Sequence, residues 1–148
     1  MKLVLTSAGI TNTSIADALT SLISKPVNDC KVGFIPTAAN MEAGNKDWYI
    51  AQLTNLQKHG FNWIDIIELA DESVDWKERL ESVDIVFVSG GNTFHLLDRF
   101  RKSGFDEWLR EELDDRVYVG VSAGSIIAAP TIAVADIPPK DRNFAKLT

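Results

Sequence analysis

Short apolar runs alternate with longer amphipathic stretches along most of the chain. Lys2–Thr6, Lys31–Pro36, Phe61–Leu69, Asp84–Val88 and Arg116–Val121 are short and rich in β-branched residues. Such runs suit strands buried on both faces of a parallel sheet. Between them the period changes. Ile15, Leu19, Leu22 and Ile23 fall at offsets of four, seven and eight, one face of a helix, with Thr11, Asn12 or Thr13 available as its N-cap. Trp48, Leu53 and Leu56 mark a second helix, closed by Lys58, His59 and Gly60. The pattern predicts a short third helix over Val74–Glu81 and two more over Thr93–Arg101 and Phe105–Leu113, parted at Ser103-Gly104. In the last, Phe105, Trp108, Leu109 and Leu113 form the buried stripe, and the charges between them form a solvated face.

Strand–helix alternation of this kind implies a doubly wound, mainly parallel α/β sheet with right-handed crossovers. No internal repeat, low-complexity segment or linker interrupts it, so residues 1–148 read as one domain. After Ala135 the pattern stops, and the polar, turn-rich stretch 136–143 is expected to end the chain in a loop.

Composition narrows the function classes. With 45% hydrophobic and 24% charged residues, the chain is an ordinary globular domain rather than a disordered tail or coiled coil. Fifteen Lys+Arg against 21 Asp+Glu give a net charge of −6, and the basic residues form no cluster. That balance argues against nucleic acid and anionic membranes as partners. No apolar stretch is long enough to span a bilayer, and no signal-peptide pattern follows the first strand. The single cysteine, Cys30, can make neither an internal disulfide nor a zinc cage alone, so a reducing, cytoplasmic home and no metal are expected.

Ligands of such sheets bind outside the carboxyl ends of the strands. Two motifs fall there. Ser89-Gly90-Gly91-Asn92-Thr93-Phe94 follows the fourth strand, and Gly120-Val121-Ser122-Ala123-Gly124-Ser125 closes the fifth. The second fits G-x-S-x-G, the nucleophile elbow. A nucleophile on so tight a strand-to-helix turn is strained, and its neighbours two residues away must be small. Its hydroxyl then projects above the sheet, beside free N–H groups able to stabilise an oxyanion. Gly90-Gly91-Asn92 is by itself a turn with a helix N-cap at Asn92 or Thr93. Beside an elbow, a glycine there can also turn its N–H into the site as the second half of an oxyanion hole.

A serine nucleophile needs a base, normally a histidine oriented by a carboxylate. The chain has two histidines. His59 reads as a helix C-terminal residue far from the strand ends. His95 is three residues past Asn92, but a helix N-terminus disfavours the protonated form a base must adopt.

At these motifs the chain resembles the peptidase E and cyanophycinase family of serine peptidases. That family has the class I glutamine amidotransferase-like fold, with serine replacing the cysteine nucleophile. The resemblance is carried by Gly90-Gly91-Asn92-Thr93-Phe94-His95-Leu96-Leu97, Gly120-Val121-Ser122-Ala123-Gly124-Ser125 and Ala129-Pro130-Thr131-Ile132. Phe34-Ile35-Pro36-Thr37-Ala38, read as a small-residue loop, adds weaker support. The resemblance implies Ser122 as nucleophile, the N–H groups of Gly91 and Ala123 as the oxyanion hole, and Asp136 as an acidic member of the site. It implies short peptides as substrates and no cofactor.

The family's catalytic histidine follows a further strand, several tens of residues past the nucleophile. This chain ends 26 residues after Ser122 with no histidine beyond His95. The expectation is therefore a family member lacking the C-terminal strands and inactive by itself, with an exposed sheet edge that a homo-oligomer could cover. A non-catalytic α/β domain using the same crevice to bind a small molecule or partner is the alternative. A phospho-receiver domain is excluded, because Thr6-Ser7-Ala8-Gly9 stands where its acidic cluster would be.

Overall fold

A computed structural model describes residues 2–135. Its core is a five-stranded, all-parallel sheet: β1 (Lys2–Thr6), β2 (Lys31–Ile35), β3 (Trp63–Ile66), β4 (Ile85–Val88) and β5 (Val117–Val121), in the order β1-β5-β4-β2-β3. The helices are α1 (Thr13–Leu22), α2 (Thr37–Asn40), α3 (Asp47–Lys58), α4 (Trp76–Glu81), α5 (Thr93–Ser103), α6 (Phe105–Glu112) and α7 (Ala123–Ile126). They cover both faces, so the doubly wound expectation holds. α1 and α3 pack Ala16, Leu19 and Leu56 against Val32, Phe34, Ile85, Phe87 and Val119. On the other face Trp76, Leu80, Leu96, Phe100 and Phe105 pack against Ile35, Val86, Val88 and Tyr118. The alternation of sides along β4 and β5 explains why those strands read as unbroken apolar runs: every residue of both is buried.

The edge strands differ from the expectation of two buried faces. β3 is four residues long rather than the whole apolar run 61–69, with Trp63 and Ile66 exposed; Phe61, Ile67 and Leu69 are buried in the flanking loops. An edge strand needs partners on one side only, and its outer side chains meet water. Arg79 braces this edge, its guanidinium bonded to Asp65 and the Ile66 carbonyl. β1 is the other edge, with Leu5 exposed. Beside it lies a groove of about 720 Å³, lined by Leu3, Leu97, Phe100, Leu109, Tyr118 and Ile127 among others.

Helix boundaries follow the caps. Asn12 caps α1 by accepting from the Ile15 N–H. The third predicted helix starts later than expected, at Trp76, because Asp75 is its cap and accepts from the Glu78 N–H. Gly104, at φ 74°, ends α5 and opens α6. The stretch after β2 is not a loop. Thr37–Asn40 forms one helical turn with Thr37, Ala38 and Ala39 buried. Small residues let that turn lie against the sheet end, and nothing in its hydrophobic period signals it. No helix among the described residues is long and apolar enough to cross a membrane.

Candidate active site

The fifth strand ends in a reversal that only small residues permit. A Cβ on Gly120 would lie 2.6 Å from the Gly124 carbonyl oxygen, and one on Gly124 would lie 2.3 Å from the Val88 carbonyl oxygen. α7 therefore rests directly on the backbone ends of β5 and β4. To enter it, the chain turns at one residue. Ser122 takes φ 48°, ψ −106°, and among the described residues it alone has positive φ without being glycine. Such a conformation costs on the order of 1–3 kcal/mol and persists only where its surroundings over-determine it.

Those surroundings are specific. The Ser122 N–H donates to the Thr6 carbonyl (2.9 Å), and the Ser122 carbonyl accepts from the N–H groups of Ser125 and Ile126 (both 2.9 Å). The Ser125 hydroxyl donates to the Thr6 carbonyl (2.8 Å) and accepts from the Thr6 N–H (3.0 Å). The Thr6 hydroxyl in turn donates to the Gly120 carbonyl (3.1 Å) and accepts from the Gly9 N–H (3.0 Å). Tyr118 donates its phenol to the Gly124 carbonyl (2.6 Å), and burial pushes that phenol's pKa well above the ordinary range. With its backbone held from both sides, the Ser122 residue itself is exposed at the carboxyl end of the sheet.

The fourth strand delivers the glycine pair to the same place. A Cβ on Gly90 would stand 3.2 Å from the Ser122 Cβ, so Gly90 flanks the nucleophile candidate directly. Gly91 has φ 132°, and a Cβ there would lie 2.2 Å from the Ala38 carbonyl oxygen. The Asn92 N–H donates to that same carbonyl (3.0 Å), and the Asn92 side chain caps α5 through the His95 N–H (2.9 Å). The N–H groups of Gly91 and Ala123 have no acceptor among the described residues. Ser89, fully buried, donates to the Gln52 side-chain oxygen (2.9 Å), which fixes the loop from below.

Sequence reasoning missed the part played by Gln52 and Thr6. Gln52 was legible: it falls four residues from both Trp48 and Leu56, on the helix face that is buried, while Trp48 itself is substantially exposed. Thr6 carried no signal, because its role depends on β1 lying beside β5.

The structure separates the remaining candidates. His59 caps the carboxyl end of α3, where the chain turns toward the start of β3, at the other end of the sheet from Ser122. His95 is half-buried in the first turn of α5, and no hydrogen bond joins it to Ser122 among the described residues. Asp136 lies outside the described residues. No group of three or more His, Cys, Asp or Glu among them is placed to hold a metal ion.

The profile of Peptidase family S51 matches residues 3–146, nearly the entire chain. The chain belongs to this family. Among its relatives, an uncharacterized peptidase of Listeria innocua is 34% identical over 120 residues, covering 79% of this chain and 56% of its own length. Peptidase E of Streptomyces coelicolor is 30% identical over 118 residues, covering 75% and 47%. The crystal structure of a protein assigned as peptidase E from Listeria monocytogenes superposes with a TM-score of 0.75 at 29% identity, covering 94% of this chain and 69% of that one. The S51 chain described here thus spans about half the length of these curated relatives. The resemblance noted in its motifs and the all-parallel α/β fold both stand.

Proposed function

We propose that this S51 member is a serine-type peptidase scaffold for short peptides, with Ser122 as nucleophile. The N–H groups of Gly91 and Ala123 form its oxyanion hole, and Asp136 is an acidic member of the site. The observation that carries this is the backbone of Ser122. A strained, exposed serine pinned at a strand-to-helix turn beside a glycine pair has no packing role that would repay the strain. With a base to take the hydroxyl proton and pass it to the leaving amine, attack of Ser122 on a peptide carbonyl would give a tetrahedral oxyanion beside the Gly91 and Ala123 N–H groups, which have no acceptor among the described residues. Collapse would release the amine and leave an acyl-enzyme for water to hydrolyse. A cytoplasmic setting agrees with the buried, unpaired Cys30.

The proposal extends to what these residues alone can do. Among the described residues neither histidine is bonded to Ser122, so residues 2–135 hold a nucleophile and donors without a histidine base. Losing the base of such a triad lowers turnover by on the order of 10⁶, leaving roughly 10³–10⁴ over water from the oxyanion hole and binding. A peptide boronic acid, which adds to a serine hydroxyl to form a tetrahedral boronate, tests the nucleophile through its ¹¹B resonance. The tetrahedral signal is expected with the 148-residue chain and not with Ser122→Ala; its absence from both would remove the nucleophile. Dipeptide hydrolysis tests the base: ordinary rates from the same chain, lost in Ser122→Ala, would overturn the proposed inactivity. The outer edge of β1, unpaired among the described residues, and the groove beside it are the surface we assign to self-association, which sedimentation velocity over a range of concentrations reads directly.

A further inference from the structure

We propose that Glu68, which touches no reacting atom, is a positioning residue that holds the oxyanion loop in register through α2. The role rests on the serine-peptidase reading above. The loop Gly90-Gly91-Asn92 has a seat outside its own strand: the Ala38 carbonyl accepts the Asn92 N–H (3.0 Å) and leaves no room for a side chain at Gly91. The direction of the Gly91 N–H therefore follows the position of α2.

α2 cannot hold that position itself. It is one turn long and has no side-chain N-cap, and a single turn has too few hydrogen bonds to offset its nucleation. Glu68, in the loop after β3, grips both of its ends. One carboxylate oxygen accepts from the Thr37 hydroxyl at the first residue of the turn (2.6 Å), and the other accepts from the Asn40 amide at the last (2.5 Å). The Ala70 N–H fixes the carboxylate (2.8 Å), and the Leu69 N–H donates to the Thr37 oxygen (3.1 Å). Thr37 is fully buried, so its hydroxyl has no water to turn to. The Lys46 ammonium holds the other side of the turn through the carbonyls of Ala39 and Glu42. Both carboxylate oxygens act as acceptors in charge-assisted bonds, the stronger class. A carboxamide supplies one acceptor in place of two.

The experiment uses the 148-residue chain with Glu68→Ala, Glu68→Gln and Asn40→Ala, and two readouts. Amide hydrogen exchange at Asn92 reports the loop's seat, with Val119 in β5 as the internal reference. The ¹¹B titration with a peptide boronic acid reports the loop's use. Glu68→Ala is expected to speed exchange at Asn92 relative to Val119 and to weaken boronate binding by about tenfold or more, the scale of losing hydrogen bonds to a charged group. Glu68→Gln is expected to fall between it and the wild type. Asn40→Ala, which removes an exposed side chain, should move both readouts the same way by less, and it decides the matter if Glu68→Ala does not fold. Equal acceleration at Asn92 and Val119 would mean a general loss of stability, and unchanged boronate binding would mean a structural clamp only; either overturns the role. Failure of the wild type to form any boronate would sink the serine reading instead, and the Asn92 exchange would still decide whether Glu68 holds the seat.

Discussion

Replacing Gly120 with alanine tests the elbow by geometry alone, because Gly120 has no positive φ and an alanine there is strained by contact and nothing else. The new Cβ would meet the Gly124 carbonyl oxygen at 2.6 Å and the Ser125 nitrogen at 2.8 Å, where ordinary contact begins at 3.4 Å. All of these atoms are backbone, so no side chain can swing aside. α7 must lift from β5, and it is held there by the Tyr118 phenol on the Gly124 carbonyl. Overpacking of this kind costs about 1–3 kcal/mol, and the disrupted hydrogen bond adds about 1 kcal/mol. For a chain of this size that lowers Tm by roughly 5–15 °C. Gly104→Ala is the control: nothing lies within 4 Å of its Cβ, and its φ of 74° leaves only left-handed strain, about 1–2 kcal/mol. Thermal and urea denaturation compare the two, and the boronate titration asks whether Ser122 keeps its place, since a site tolerates only about 0.5 Å of displacement. If Gly120→Ala melts no lower than Gly104→Ala and still binds the boronate, the close packing of α7 on β5 is not what sets the serine.

Three more outcomes follow from the same contacts. Ser122→Gly should be more stable than Ser122→Ala in urea, because glycine accepts φ 48° freely while alanine keeps the strain; the reverse order would mean the turn is unstrained. Burial raises the Tyr118 pKa in the folded chain above its ordinary 10.0. Its contribution is therefore complete below about pH 10 and is lost as pH rises from there toward the folded value, because the unfolded phenol ionises first. Urea midpoints taken up the alkaline limb should fall more steeply for the wild type than for Tyr118→Phe, which at neutral pH should cost about 1–2 kcal/mol for the unpaired Gly124 carbonyl. Arg116 spans the Glu81 carbonyl, the Glu112 carbonyl and the Trp108 ring with its side chain 11% exposed. Arg116→Ala should lose about 2–3 kcal/mol by urea denaturation, and a change under 0.5 kcal/mol, the scale of an ordinary surface substitution, would show that the bridge contributes nothing.

Most of the scaffold was legible because parallel strands buried on both sides leave a plain trace: Ile85–Val88 and Val117–Val121 are apolar at every position but Gly120. The elbow was legible for a related reason, since Gly120 is forced by Gly124 and Ser125 only a few residues on, although Gly124 itself is forced by Val88 at the end of β4. What escaped was set by contacts distant in sequence. α2 is held by Glu68, and Ser122 by Thr6. No local period records a bond that links residues 31 or more apart. β3 was overestimated because Phe61, Ile67 and Leu69 are apolar for the sake of the core beneath them rather than of the strand.

The pairing of β1 with β5 has a consequence in time. Lys2–Thr6 leaves the ribosome well before its partner Val117–Val121 is made. At about 5–20 residues per second, the wait is on the order of ten seconds. During it β2, β3 and β4 can already join, while β1 stays unmatched and exposed to capture by other nascent chains. The corner at Ser122 can close only after β2, β3 and β4 are made, so a translation product stalled before Val117 would carry most of this sheet without the elbow.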